Sequence, residues 1–349
     1  MVIRSSVIQL DGRAGRHQRS RRVDKRGEVG GDMTGAGMQA VNSKRRSTAE
    51  DPAPLGPDSL TWRYFGLMVG FTAGTVPQLL QVMHPVLGHA VDEHSNVKED
   101  PFGRFARSMG PIYGVIYDGP QAPETARTVR GFHEAITGTL PSGERYSALN
   151  PEVFHWAHAT FVHGLIYGFS QIMGPFTRAE QEQLYAEAKQ WYRLYGMTMR
   201  NVPETLDDFD AYWDRYVDDV LEYTPAAQWL LATFKAPPVP PPLHGFPEPL
   251  WRPLGRVIGY LAVVFASGQL PPVARDKLGL PYGLPQRIVH DVILRAVRWS
   301  VPLTPARFRY HRRSYAAWQQ VAQQQGVRAA TLVRRASARG RAPATAGGS

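Results

Sequence analysis

Apolar residues recur at helical spacing along most of this chain. Between Val76 and Val91 they fall at Leu79, Leu80, Met83, Val86, Leu87 and Ala90, a repeat near 3.6 that predicts a helix. Asp100-Pro101 opens a second predicted helix running to Tyr117, and Pro123, at a first turn, opens another to Ile136. Asn150-Pro151-Glu152 is a strong start: an Asn cap, a proline at the first helical position and an acid in the first turn. That helix is expected to reach Met173, where Gly174-Pro175 ends it. Thr177-Arg-Ala-Glu180 reads as a capping box for a helix through Tyr195, and Thr205 to Glu222 follows as another.

The Pro-rich run 236–243 has to be extended, and it reads as a hinge inside the domain. Beyond it, helices are predicted at Trp251 to Ala266, Pro272 to Leu278, Pro285 to Trp299 and Pro305 to Gln324. Alternating Val, Ile and Thr runs are nearly absent. The fold class is therefore all-α: a single multi-helix globular domain over 58–334. Residues 1–57 and 335–349 lack apolar periodicity and read as disordered basic tails.

Charge sharpens this division. The net charge of +10 lies in the tails, with +7 in residues 1–48 and +9 in 302–349, which leaves −6 for the body between them. A nucleic-acid-binding domain concentrates positive charge on its folded surface, so nucleic acid is not expected as the main partner. The chain of 349 residues has no cysteine, which excludes disulfides, thiolate metal sites and cysteine nucleophiles. No stretch reaches the roughly 18 apolar residues of a spanning helix, and the N-terminus has no apolar signal region. A cytoplasmic location is the expectation. Nothing in the sequence sets an oligomeric state.

The chemistry then falls to histidine. His84, His89, His94, His133, His155, His158 and His163 cluster in the helical block. For any one of them, a hydrogen-bonded core residue is the bland alternative. His155 and His158 sit three apart on one helix face. Glu152-Val-Phe-His155 raises a di-iron carboxylate site, but no second E-x-x-H occurs to complete it. The segment His155-Trp-Ala-His158-Ala-Thr160-Phe suits haem better, because small neighbours let a flat macrocycle approach an imidazole. Arg130 and His133, again three apart, would present a cation and an imidazole to bound oxygen or to a propionate. The Asp207 to Asp219 acid run reads as a solvated face.

These motifs together resemble the oxygenase family that includes mycophenolic-acid-pathway proteins and latex-clearing rubber oxygenases. The resemblance runs through Leu79 to Pro85, Glu93-His94-Ser95, Asp100 to Arg104, Thr128 to His133, Tyr146 to Glu152, Trp156-Ala-His158-Ala-Thr160 and Phe209 to Trp213, and covers about residues 60–300. It implies an all-helical domain holding haem b through one histidine, whose iron activates dioxygen. In the rubber-cleaving branch that iron splits a polyisoprene double bond. Carried over by motif, His158 looks like the axial iron ligand, and His84 and Thr160 fall in cofactor-binding motifs. Arg130 looks like the family's distal arginine. His133 stands where latex-clearing proteins carry a lysine, and Glu134 where they carry a threonine. The leading expectation is a haem-b-dependent oxygenase, with Arg130 and His133 as catalytic candidates, acting with dioxygen on an apolar, unsaturated substrate. The alternative is a non-catalytic helical haem- or lipid-binding protein.

Overall fold

Each helix begins where the backbone is given a partner for its free N–H groups. The computed structural model describes residues 52–70 and 75–339, and the helices below are numbered along those residues. They run α1 (Leu60–Tyr64), α2 (Thr75–Val82), α3 (Pro85–His94), α4 (Pro101–Tyr117) and α5 (Ala122–Gly131), then α6 (Pro151–His163), α7 (Phe169–Met173) and α8 (Arg178–Leu194). The second half contains α9 (Leu206–Asp219), α10 (Pro225–Lys235), α11 (Glu248–Gln269), α12 (Pro272–Lys277) and α13 (Leu284–Leu303). The last three are α14 (Ala306–Arg309), α15 (Arg312–Gln324) and α16 (Ala329–Arg339). Asp100 caps α4, Asn150 caps α6, and Thr177 with Glu180 forms the expected capping box of α8. The fold is all-α apart from one small hairpin of β1 (Thr137–Thr139) and β2 (Arg145–Ser147), paired antiparallel.

That hairpin corrects the expectation of a helix to Ile136. Gly131 is the last residue of α5, and the chain then turns through His133 into β1. The single helix expected from Val76 to Val91 is broken as well. His84 is extended at its break, and its Nδ1 accepts the backbone N–H of Val86 and Leu87 at 3.1 and 3.5 Å, starting α3 with Pro85 at the first position. Between α6 and α7, Gly164–Gly168 forms a π-turn inside what reads as one continuous helix. Three helices, α1, α10 and α16, have no counterpart among the expected elements; α1 is buried throughout, and α10 buries Ala226, Ala227, Leu230 and Leu231.

The described residues all fall within one compact unit, Ala49–Ser349. Residues 236–243 join α10 and α11, which pack directly on each other. A Cβ on Gly259 would lie 2.5 Å from the carbonyl oxygens of Phe234 and Lys235, and Trp251 Nε1 donates to the Pro237 carbonyl at 2.8 Å. Leu55 is buried in the core, and α16 continues to Arg339. The rest of the expected tails, 1–51 and 340–349, lies outside the described residues. Among the described residues, no helix is long and apolar enough to cross a membrane.

The core is centred on α6, whose Trp156, Ala159 and Val162 are fully enclosed. Trp156 stacks on Tyr216 and Trp213 of α9 and donates its indole N–H to the Leu80 carbonyl of α2. Helix α8 closes the other side with Trp191 and Tyr192. One buried acid fixes that arrangement. Glu187 accepts the backbone N–H of Leu60 and Thr61 and the Thr61 hydroxyl, at 3.0, 2.7 and 2.8 Å, and so caps α1 from α8.

Candidate functional site

A cavity of about 640 Å³ lies against α6, bounded by α2, α4, the turn after α5, and α10. Its size is in the range of small-molecule and cofactor sites. Most of its wall is apolar, including Phe65, Met109, Phe154, Phe161, Leu165 and Trp229. Besides Tyr113 and Tyr195, the polar exceptions are Gln78, Gln81, Ser95, Asn96, Arg104, Arg107, Ser108, His133 and His158. Such a wall holds an apolar ligand and leaves orientation to a handful of groups.

His158 reaches this wall from the second turn of α6, flanked by Ala157, which also lines the cavity. The ring is only 5% exposed and is held edge-on to Trp191, 4.7 Å between centroids. Its Nε2 lies 3.1 Å from the Ala188 carbonyl oxygen of α8. A carbonyl only accepts, so Nε2 carries the proton and Nδ1 keeps the lone pair. Nδ1 is buried and has no hydrogen-bond partner. Burial pulls the imidazole down to about 3, with neighbouring His155 adding to the shift, so the ring is neutral at physiological pH. A neutral imidazole tied back through one N–H, with its other nitrogen free, is the usual state of a histidine metal ligand.

His133 comes to the same cavity from the turn beyond α5. Its Nδ1 donates to the Val129 carbonyl at 2.8 Å, which leaves Nε2 as the lone-pair nitrogen, and its ring sits edge-on to Phe154. Burial lowers its pKa, and the charge of Arg104 lowers it further. This histidine can accept or return a proton in an otherwise apolar space.

The other expected site residues have different surroundings. Arg130 is half-buried beside Gly196, with its Nε lacking a partner, and it does not line the cavity. The helical spacing that paired it with His133 fails because α5 ends between them. His84 is fully engaged: it caps α3 through Nδ1, and its Nε2–H donates to the Tyr216 hydroxyl at 2.9 Å. Thr160 is buried behind the wall, where its hydroxyl donates to the Ala157 carbonyl and accepts from Gln81 Nε2. It fixes Gln81, which does line the cavity. His155 is buried against Tyr192 and Tyr212 and stays off the lining. The acid run behaves as read, with Asp207, Asp208, Asp214, Asp218 and Asp219 exposed. Asp210 is the exception, half-buried and taking a hydrogen bond from the Tyr167 hydroxyl.

Arg104 is the cavity residue that the chemical reading of the sequence passed over. It lies on the fourth residue of α4, and its position one turn after the Asp100 cap was the available signal. Among the described residues, no group of three or more His, Cys, Asp or Glu side chains is placed to hold a metal ion.

Residues 62–299 match the family described as "ER-bound oxygenase mpaB/B'/Rubber oxygenase, catalytic domain". The chain is also similar to an uncharacterised protein of Mycobacterium bovis and to one of Mycobacterium tuberculosis. Each is 26% identical over 242 residues, which span 66% of this chain and 88% of the relative. No solved structure matches it.

Proposed function

Because the chain belongs to the family of mpaB-type and rubber oxygenase catalytic domains, we propose that it is a haem-b-dependent oxygenase acting on an apolar, unsaturated substrate. The observation that carries this reading is His158, a neutral imidazole at the wall of an apolar cavity with one nitrogen tied to Ala188 and the other without a partner. A single histidine without further metal-ligating side chains around it suits a haem iron, which needs few ligands from the protein.

Bound haem supplies the activation of dioxygen that the side chains alone lack. The protein's part is positioning and exclusion. His158 would hold the iron, its ring placed at the cavity wall by α6 and the contact with the Ala188 carbonyl. The aromatic and aliphatic wall binds the hydrocarbon part of the substrate and keeps water from the reacting space. His133, neutral and with Nε2 free, is the group in the cavity suited to take up or return a proton.

The test is an absorption spectrum of full-length protein purified from haem-supplemented cells, followed by oxygen uptake with long-chain alkenes. A Soret band with alkene-dependent oxygen consumption supports the proposal. A Soret band without turnover points to the non-catalytic haem-binding alternative, and protein that never carries haem overturns the reading.

A further inference from the structure

Within this cavity one charge has no counter-ion. Arg104 is a lining residue, half-buried, and its Nε donates to Ser95 Oγ at 3.1 Å while a terminal nitrogen donates to Ser108 Oγ. Both partners are neutral hydroxyls. Among the described residues no carboxylate lies within ion-pair distance of it. The acid on its own helix, Asp100, is taken by Arg107, with Nη1 2.9 Å from Oδ2. Arg107 is exposed, and its charge is therefore answered at the surface. Arg104 feels burial first and the positive field of Arg107 second, and both disfavour its charged form. Its other neighbour in the wall, His133, is neutral and supplies no negative charge.

A guanidinium held in an apolar wall with part of its donor fork unspent is a receptor for an anion. The surrounding surface says what kind. A multiply charged phosphate would want both arginines, and Arg107 is already neutralised by Asp100. One uncompensated charge matches one monoanion, and the planar fork matches a carboxylate. The rest of the cavity is apolar, so the carboxylate has to ride on a hydrophobic body. We propose that Arg104 is a carboxylate receptor in the cavity, and that it orients an apolar ligand by a single acid group. The inference rests on the cavity being the ligand site of the proposed oxygenase. The ligand can be the substrate itself, a long-chain carboxylic acid, or a propionate of the cofactor, since the recognition chemistry is the same.

The experiment compares acid and neutral pairs on the full-length protein. One arm titrates oleate against oleyl alcohol, read by tryptophan fluorescence, since Trp229 lines the cavity. The other titrates protohaem against its dimethyl ester, read in the Soret region. Wild type should favour the acid in at least one pair by about tenfold or more, as a charge-assisted hydrogen bond implies. Arg104→Gln should abolish that preference while the neutral ligand binds as before, and Arg127→Gln, on the exposed face of α5 and off the cavity wall, should leave it intact. If Arg104→Gln does not fold, Arg104→Lys serves instead and should reduce the preference, because a point charge lacks the fork. Preference in the oleate pair assigns the acid to the substrate, and preference in the haem pair assigns it to the cofactor. No preference in either pair, or one that survives at Arg104→Gln, overturns the proposal. A protein that selects oleate but never takes up haem would refute the haem reading while leaving the carboxylate receptor standing.

Discussion

The imidazole of His158 and the backbone carbonyl of Ala188 face each other at 3.1 Å across the packed helices α6 and α8, and this contact sets which ring nitrogen is free. Ala188 follows Glu187, whose carboxylate caps α1. The residue that orients the histidine is thus next to the one that locks α8 in place. Several measurable consequences depend on this arrangement and on its neighbours.

Replacement of His158 should separate it from the other histidines of the block. His158→Ala should purify without stoichiometric haem, whereas His84→Ala, His155→Ala and His163→Ala should keep a Soret band. The pyridine haemochrome assay gives the occupancy. Haem retained in His158→Ala and lost in His84→Ala would place the ligand on α3's cap instead.

His84→Ala should act on stability. It removes the acceptor for two backbone N–H groups at the start of α3 and leaves the Tyr216 hydroxyl without its partner. A loss of about 1–2 kcal/mol is expected from the cap. Urea unfolding measures it, and an unchanged midpoint at constant slope would contradict the capping role.

Acid should destabilise the fold well above the carboxylate range. Burial lowers His84 and His155 to about 4 and His158 to about 3, against 6.5 for an unperturbed histidine. Below 6.5 the unfolded chain takes up protons that the folded chain refuses, so stability falls as pH drops towards 4. Each such histidine contributes a slope of up to about 1.4 kcal/mol per pH unit. Urea midpoints collected on cofactor-free protein from pH 7.5 to 4.5 should decline below about 6.5. A midpoint that stays level to pH 4.5 would speak against neutral, buried imidazoles.

Glu187→Ala should cost about 1–3 kcal/mol, since it strips the α1 cap and leaves the Leu60 and Thr61 N–H groups buried and unpaired. Glu187→Gln, which keeps the shape and loses the charge, should fall between it and wild type. Thermal melts of the three proteins give the order, and equal melting of all three would remove the acid from the list of structural anchors.

Gly259→Ala tests whether α10 and α11 are one packed pair. The added Cβ would meet two backbone carbonyl oxygens at 2.5 Å, which the helices relieve only by moving apart. A loss of about 1–3 kcal/mol is expected from overpacking. Wild-type stability in this variant would mean that the helices separate freely, as a hinge at 236–243 would allow.

Much of the helical framework was legible because its signals are local. Asp100-Pro101, Asn150-Pro151 and Thr177 with Glu180 start helices where their caps say they should. Errors came where a long-range contact or a shape decides. The apolar repeat runs straight through Met83-His84-Pro85, yet His84 ends one helix and caps the next, with Tyr216 holding its far nitrogen. The β1–β2 hairpin is too short to show alternation, and α1 is a short helix started by a carboxylate 126 residues away. Of the candidate residues, His158 and His133 line the cavity and Arg130 does not. Its pairing with His133 assumes a helix that stops at Gly131. Arg104 stands one turn after the Asp100 cap, but that its charge is unanswered shows only once the cavity around it is in view.

The π-turn at Gly164–Gly168 has a consequence for how this chain can change its length. It widens one turn between Phe161 and Phe169, so both rings stand on the same wall although an α-helical count would carry the second one round. Removing one of these five positions would let the stretch rewind as an ordinary α-helix with the two rings about two whole turns apart, so Phe169 would stay on the wall and Ile172, fully enclosed behind it, would keep its contact with Phe265. Rewinding with all five kept would instead rotate everything beyond by about 100° and carry Phe169 off the wall. The interior of a helix, ordinarily the place least tolerant of a change in length, is here the point where one residue can be lost without moving the pocket's outline. Relatives compared across this stretch therefore need a gap placed inside the helix to keep their linings in register.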